Sequence, residues 1–248
     1  NCEVMKKLVF IFFAFFLLIS CSSDSSSNEQ SNTDGKGGSL AIFALKGDYL
    51  YAVDEATLKV FSLLNEQQPV MVNSVQIGFE IETIFSMDDY LFIGSRNGMF
   101  IYSITNPENP TKLSQVQHFT ACDPVVANAT HSFVTLNSNR TCGNNTNVLQ
   151  VYNTENLSDP FLVHARNLVA PKGLALYGNY LFVCDDVIKI FNIVNPVEPV
   201  LVGNINKVCF DLIIRENQLF AVGDSGLYRY ELNPMNITDI VFKSEVIF

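Results

Sequence analysis

Five stretches of the chain repeat one short apolar pattern, and this repeat limits the fold more than any other feature. They begin at Asp48, Asp89, His131, Asn179 and Asn217, spaced 41, 42, 48 and 38 residues apart. Typical examples are Asp89-Tyr90-Leu91-Phe92-Ile93 and Asn179-Tyr180-Leu181-Phe182-Val183. A second apolar run follows each: Leu58 to Phe61, Met99 to Tyr102, Val148 to Tyr152, Ile188 to Phe191 and Leu227 to Tyr230. Next comes a polar turn with proline, at Asn106 to Pro110, Ser158 to Pro160, Asn195 to Pro199 and Asn233-Pro234, with a weaker version from Asn65 to Pro69. A further short run closes the unit, as in Val200 to Ile205.

The runs are short, rich in Val, Ile, Phe and Tyr, and bounded by Gly, Asn, Asp and Pro, which predicts strands and turns. No segment after residue 40 sustains a helical period. A four-strand unit of about 41 residues, repeated, is the mark of a β-propeller blade. The expected fold class is all-β: a single β-propeller over residues 40–248, of five blades with four antiparallel strands each. The strands are nearly continuously apolar because a blade stacked between two neighbours buries both faces. The insertion from Asn137 to Asn147 accounts for the longer third unit. A ring of six or seven blades would need more chain or a partner; the alternative is an open or irregular stack.

The fourth unit, Gly178-Asn179-Tyr180 followed by an apolar strand, Asp185, a second strand from Val187, the turn Asn195-Pro196-Val197-Glu198-Pro199 and Val202-Gly203, resembles the LVIVD repeat of bacterial exported proteins. The second unit, from Asp88 to Leu113, matches the same pattern, and units one, three and five match it less fully. The resemblance implies a propeller built largely of these repeats, with no assigned catalytic residues.

The N-terminus carries a different signal. Met5 reads as the start, with residues 1–4 upstream of it. Lys6 and Lys7 precede an unbroken apolar run of 12 residues, Leu8 to Ile19. As a helix that run would rise about 18 Å, short of the ~20 residues that a bilayer core requires. Residues 5–20 are therefore expected to be a signal peptide. Leu18-Ile19-Ser20-Cys21 resembles the lipobox of bacterial lipoproteins, which implies cleavage before Cys21 and a diacylglyceryl group on its thiol. Anchoring by two or more acyl chains is stable. Residues 21–39 follow as a Ser/Asn/Gly tether, expected to be disordered and to hold the domain roughly 25 Å from the lipid. Ser22, rather than Asp, follows the cysteine, and this favours lipid anchoring at the outer membrane; its periplasmic and cell-surface sides both stay open. The acidic, Ser-rich start of the tether resembles the export tethers of surface lipoproteins in some Gram-negative groups.

Charge excludes some partners. The chain carries −10, and without Glu3, Lys6 and Lys7 its 13 basic and 24 acidic residues leave about −11. Such a balance argues against nucleic acid and against electrostatic attachment to anionic lipid. Besides Cys2 and Cys21 there are Cys122, Cys142, Cys184 and Cys209. Their spacing is not that of a zinc site, and His118, His131 and His164 are scattered, so no metal is expected. An exported chain permits disulfides. On the propeller reading, Cys122 and Cys142 fall on one face of the third blade, and a bridge between them would pin the Asn-rich insertion. Cys184 and Cys209 lie in neighbouring blades near one face, where a bond and two buried thiols are equally compatible with the sequence.

In a propeller the innermost strand of each blade lines a central channel, and one face gathers the starts of those strands. Aligning the units places Glu80, Glu82, Asp123, Lys172 and Asp211 there. The family pattern often has Asp at the Asp211 position, where two other units carry Thr83 and Gly173. These residues form either an acidic funnel mouth for a cation, a basic ligand or a hydroxylated one, or a set of carboxylates that cap backbone N–H groups at strand starts. Asp185-Asp186 reads as a turn. There is no phosphate-binding glycine loop, no Gly-x-Ser-x-Gly, no HExxH and no cofactor motif, so no catalytic residues are assigned. The expected function is a non-catalytic binding or scaffolding module of the cell envelope that meets a glycan, a peptide or an envelope protein. The alternative is a hydrolase or lyase that uses carboxylates at the funnel mouth.

Overall fold

A computed structural model of the chain describes residues 38–65, 67–117, 124–137 and 146–248. Among the described residues, twenty strands form five sheets of four, each antiparallel and built from consecutive strands. Blade 1 holds β1 (Phe43–Lys46), β2 (Tyr49–Val53), β3 (Thr57–Ser62) and β4 (Val70–Gln76). Blade 2 holds β5 (Ile81–Met87), β6 (Tyr90–Ser95), β7 (Gly98–Ser103) and β8 (Thr111–Gln117). Blade 3 holds β9 (Val125–Ala127), β10 (His131–Leu136), β11 (Val148–Asn153) and β12 (Phe161–Asn167). Blade 4 holds β13 (Leu174–Tyr177), β14 (Tyr180–Cys184), β15 (Ile188–Asn192) and β16 (Val200–Ile205). Blade 5 holds β17 (Asp211–Arg215), β18 (Gln218–Gly223), β19 (Gly226–Leu232) and β20 (Ile240–Ile247). The blades stand in a ring, and their first strands line a central channel. The predicted five-bladed all-β propeller is the fold observed.

The repeated polar residues have repeated backbone roles. The residue after the third strand of blades 1 to 4 (Leu63, Ile104, Thr154, Ile193) and the last residue of β19 (Leu232) donate their N–H groups to a carbonyl in the first turn of their own blade, at Asp48, Asp89, Thr130, Asn179 and Asn217. The carbonyls of Asn65, Asn106, Asn156, Asn195 and Asn233 each accept from the residue three positions on, closing the turn into the fourth strand. In every blade the pairing of third and fourth strands slips by one residue at the same place, leaving Val72, Leu113, Val163, Val202 and Lys243 as bulges. A bulge bends an outer strand away from edge-to-edge pairing, which an exposed apolar edge would otherwise invite.

Two aromatic positions carry the packing. On the second strand, Tyr51, Phe92, Phe133, Phe182 and Phe220 point toward the following blade. On the third, Phe61, Tyr102, Tyr152, Phe191 and Tyr230 point toward the preceding one. Four apolar clusters result, joining blade 1 to 2, 2 to 3, 3 to 4 and 4 to 5. Blades 2, 3 and 4 are thus buried on both sides; β10 is buried at every residue. In blades 1 and 5 burial alternates along the strand, as it does in β18. The expectation that stacking buries both faces therefore holds for the inner three blades. Among the described residues, no apolar cluster joins blade 5 to blade 1.

That seam is closed by hydrogen bonds instead. Gly38 and Ser39 are buried, so the ordered domain takes in residues assigned by sequence to the end of the tether. The Ser39 hydroxyl donates to Asp211 Oδ1 at 3.2 Å and accepts from the N–H of Leu174 at 2.7 Å. The carbonyl of Ala41 accepts from Ile84 N at 2.8 Å. One short segment thereby links blades 4, 5 and 2 at the starts of their inner strands.

Truncating a doubly packed aromatic should cost more than truncating its counterpart at the seam. Phe133→Ala is expected to lose about 3–5 kcal/mol, whereas the half-buried Phe220→Ala should lose less than half of that; urea unfolding of the two variants measures the difference.

Candidate functional site

The face carrying the starts of the inner strands, here the upper face, holds a cavity of about 480 Å³. Leu40, Pro124, Pro171 and Phe210 give it apolar walls, and Glu82, Thr83, Asn137, Lys172 and Asp224 give it polar ones. Below it, the channel of about 350 Å³ is lined mainly by the aliphatic and aromatic residues of the inner strands, among them Phe85, Val126, Leu174 and Ile213. The upper cavity is where chemically varied side chains meet.

The structure sorts the sequence candidates. Glu82 and Lys172 both reach the cavity. Glu80 sits at the end of the connection from blade 1, with a positive φ of 51°. Its carboxylate pairs with Arg96 Nη1 at 2.6 Å, within blade 2, and it does not line the cavity. Asp211 is committed to the ring closure: its carboxylate accepts from the Ser39 hydroxyl and from the backbone N–H groups of Leu212, Leu40 and Ser39. Burial pushes its carboxyl above the usual range, against the pull of these donors. A Cβ on Gly38 or on Gly173 would overlap the same carboxylate. Gly173 stands where the repeat elsewhere carries Asp because the Asp211 side chain already fills that space. Asp123 lies outside the described residues.

Two polar cavity residues, Asp224 and Asn137, are not among the candidates at the strand starts. Asp224 belongs to the tight turn between β18 and β19, Gly223-Asp224-Ser225-Gly226. Asn137 is buried at the end of β10 and donates from Nδ2 to the Pro171 carbonyl at 2.7 Å. Thr135 Oγ1 donates to the carbonyl of Lys172 at 2.5 Å. Blade 3 thus fixes the backbone from which the Lys172 side chain projects. The mouth is of mixed charge, with an ammonium group set among carboxylates, rather than uniformly acidic.

A second brace comes from Asp185. Its buried carboxylate accepts from Val169 N and Ala170 N at 3.0 and 2.5 Å and from Lys189 Nζ at 2.5 Å. Asp186 meets the same ammonium at 2.9 Å. Burial pulls the Lys189 pKa down, but the two carboxylates more than offset it and leave it raised. The pair expected to be a turn is a turn, and it holds the connection leading to Pro171 and Lys172.

Cys184 and Cys209 form a disulfide, with Cα atoms 5.5 Å apart. It ties the end of β14 to the chain just before Phe210 and Asp211, so it anchors both a cavity wall and the acceptor of the ring closure. The sequence left this pair undecided because the bond depends on how two blades sit side by side. Cys21, Cys122 and Cys142 lie outside the described residues. His131 is buried, with Nδ1 2.8 Å from Thr130 Oγ1, and burial pushes its pKa down. Among the described residues, no group of three His, Cys, Asp or Glu side chains is placed to hold a metal ion.

Residues 171–207, which span blade 4, match the LVIVD repeat family. No curated protein matches the chain. Among solved structures, a protein from Lactobacillus plantarum is similar with a TM-score of 0.67 at 9% identity, over 81% of this chain and 68% of that one. A functionally unknown protein from Desulfotomaculum acetoxidans is similar with a TM-score of 0.65 at 12% identity, over 81% and 66%. A complex of KlAtg21 with the coiled-coil of AgAtg16 is similar with a TM-score of 0.57 at 13% identity, over 77% and 65%. At such identities the likeness is one of fold, and the chain spans about two thirds of the length of these structures.

Removing the disulfide should weaken the domain without changing its topology. Closing a loop of 25 residues is worth about 3 kcal/mol on the chain-entropy account. The double variant Cys184→Ala, Cys209→Ala is expected to lose about that much in denaturant unfolding, with an unchanged far-ultraviolet spectrum.

Proposed function

We propose that this LVIVD-repeat propeller is a non-catalytic binding module of the cell envelope, displayed from the outer membrane by lipid on Cys21 and meeting its partner with the upper face. The observation that carries this reading is the construction of the upper cavity. Its polar side chains project from backbone fixed by Thr135, Asn137, Asp185 and the Cys184–Cys209 bond. A rigid, preformed surface loses little entropy on binding. Its mixed charge and apolar walls suit a peptide or a sugar whose polar groups sit over a hydrophobic patch. A resembling fold is seen in a complex with a coiled-coil, which fits a protein partner.

The hydrolase or lyase reading requires carboxylates available to a substrate. The Asp211 carboxylate serves the ring closure, and Glu80 serves Arg96. Glu82 and Asp224 line the cavity from different blades.

Two measurements test the proposal. Affinity capture from intact cells should recover a partner with the wild-type chain and lose at least 80% of it with Lys172→Glu. Recovery unchanged by Lys172→Glu and by Asp224→Lys would remove the upper face from the function. Cys21→Ala should move the protein from the membrane fraction to the soluble fraction, and protease shaving of whole cells then reports which side of the membrane the domain faces.

A further inference from the structure

The seam between blades 5 and 1 is the one blade boundary without an apolar cluster among the described residues, yet both its walls carry the packing residues used elsewhere. On blade 5 these are Phe220, Val222 and Leu227, equivalent to Phe92, Gly94 and Met99 of blade 2. On blade 1 they are Leu50, Ala52 and Phe61, equivalent to Leu91, Ile93 and Tyr102. At the other boundaries these positions are largely buried; at the seam all six are half-buried. The sheets have already paired their backbone groups, so what the walls offer is side-chain surface.

One substitution within the repeat sets the blade 5 wall apart. The position held by Val60, Ile101, Val151 and Ile190, all buried, is Arg229 in blade 5, and Arg229 is exposed. Its Nε donates to Gln218 Oε1 at 2.7 Å. Of the five N–H donors of a guanidinium, this uses one. Strand pairing puts Arg215 on the same face, through Gln218, and Lys243 joins it by an ion pair with Glu231. Lys243 and Glu231 offset one another, so Arg215 and Arg229 leave this sheet face net positive in a chain of net charge −10. On the opposite wall Lys59 is held by Asp54 at 2.6 Å.

We propose that the seam docks an extended acidic segment of a partner protein, with apolar side chains against Phe220, Val222 and Leu227 and a carboxylate on Arg229. A carboxylate matches the guanidinium in a planar, two-point contact. A second copy of this chain is the poorer occupant. Pairing blade 5 of one copy with blade 1 of another would bring together two chains of net charge −10 and leave Arg229 without a carboxylate, since Asp54 on that wall is held by Lys59. A whole blade is also disfavoured, because Ser39 and Asp211 hold the inner ends of the seam together. This surface is separate from the upper cavity, so either can fail without the other.

The probe is a pair of labelled synthetic peptides, Glu-Val-Glu-Phe-Glu-Val-Glu and its counterpart with Lys for Glu, titrated by fluorescence anisotropy against the full chain. The acidic peptide is expected to bind at least tenfold more tightly. Arg229→Glu should reverse the preference, Arg229→Gln should reduce it without unfolding the domain, and Lys172→Glu should leave it unchanged. The proposal fails if neither peptide binds, if the preference survives Arg229→Glu, or if sedimentation shows the chain forming a dimer that excludes the peptide.

Discussion

Everything in this molecule depends on one packing requirement: a four-stranded sheet with two apolar faces must have a neighbour on each side. The aromatic residues at Tyr51, Phe92, Phe133, Phe182 and Phe220, and those at Phe61, Tyr102, Tyr152, Phe191 and Tyr230, are the repeated answer. Burying one such ring is worth about 1.5–3 kcal/mol relative to leaving it exposed, so the inner blades are held from both sides. Blades 1 and 5 each have one packed face, and the difference is recorded residue by residue in their alternating burial.

Polar contacts take over where the apolar ones stop. Ser39 and Asp211 link the last blade to the segment preceding the first, with Leu174 and Ile84 drawn into the same set of hydrogen bonds. The disulfide fixes the chain that delivers Asp211. The same contacts shape the upper cavity, since Leu40 and Phe210 flank the closing residues and line its wall. Ring closure and the candidate binding surface are therefore one construction. A change in Asp211 would disturb both, which makes Lys172 and Asp224 the more informative positions for separating binding from stability.

Much of this was legible in the sequence. Strands appeared as short β-branched and aromatic runs, blades as their recurrence, and the turn after each third strand as Asn followed by proline. The roles of individual polar residues were harder to read. Glu80, Glu82, Lys172 and Asp211 occupy comparable places in the repeat but have different partners, because each blade meets different neighbours. Asp224 lies away from the starts of the first strands, and the cavity also draws on the turn between the second and third strands. Arg229 reads as an ordinary polar residue until the blade-to-blade positions are superposed.

The sequence by itself determined the class of fold, the number of blades and the order of their strands, because those follow from local periodicity and turn chemistry repeated five times. Only the tertiary structure decided how Cys184 and Cys209 pair, which carboxylate closes the ring, and which blade boundary has no apolar cluster among the described residues. Those depend on distances between residues far apart in the chain, such as Ser39 and Asp211, 172 positions apart. Local pattern carries no information on such a distance; it is set when the blades pack around the ring and the first must meet the last.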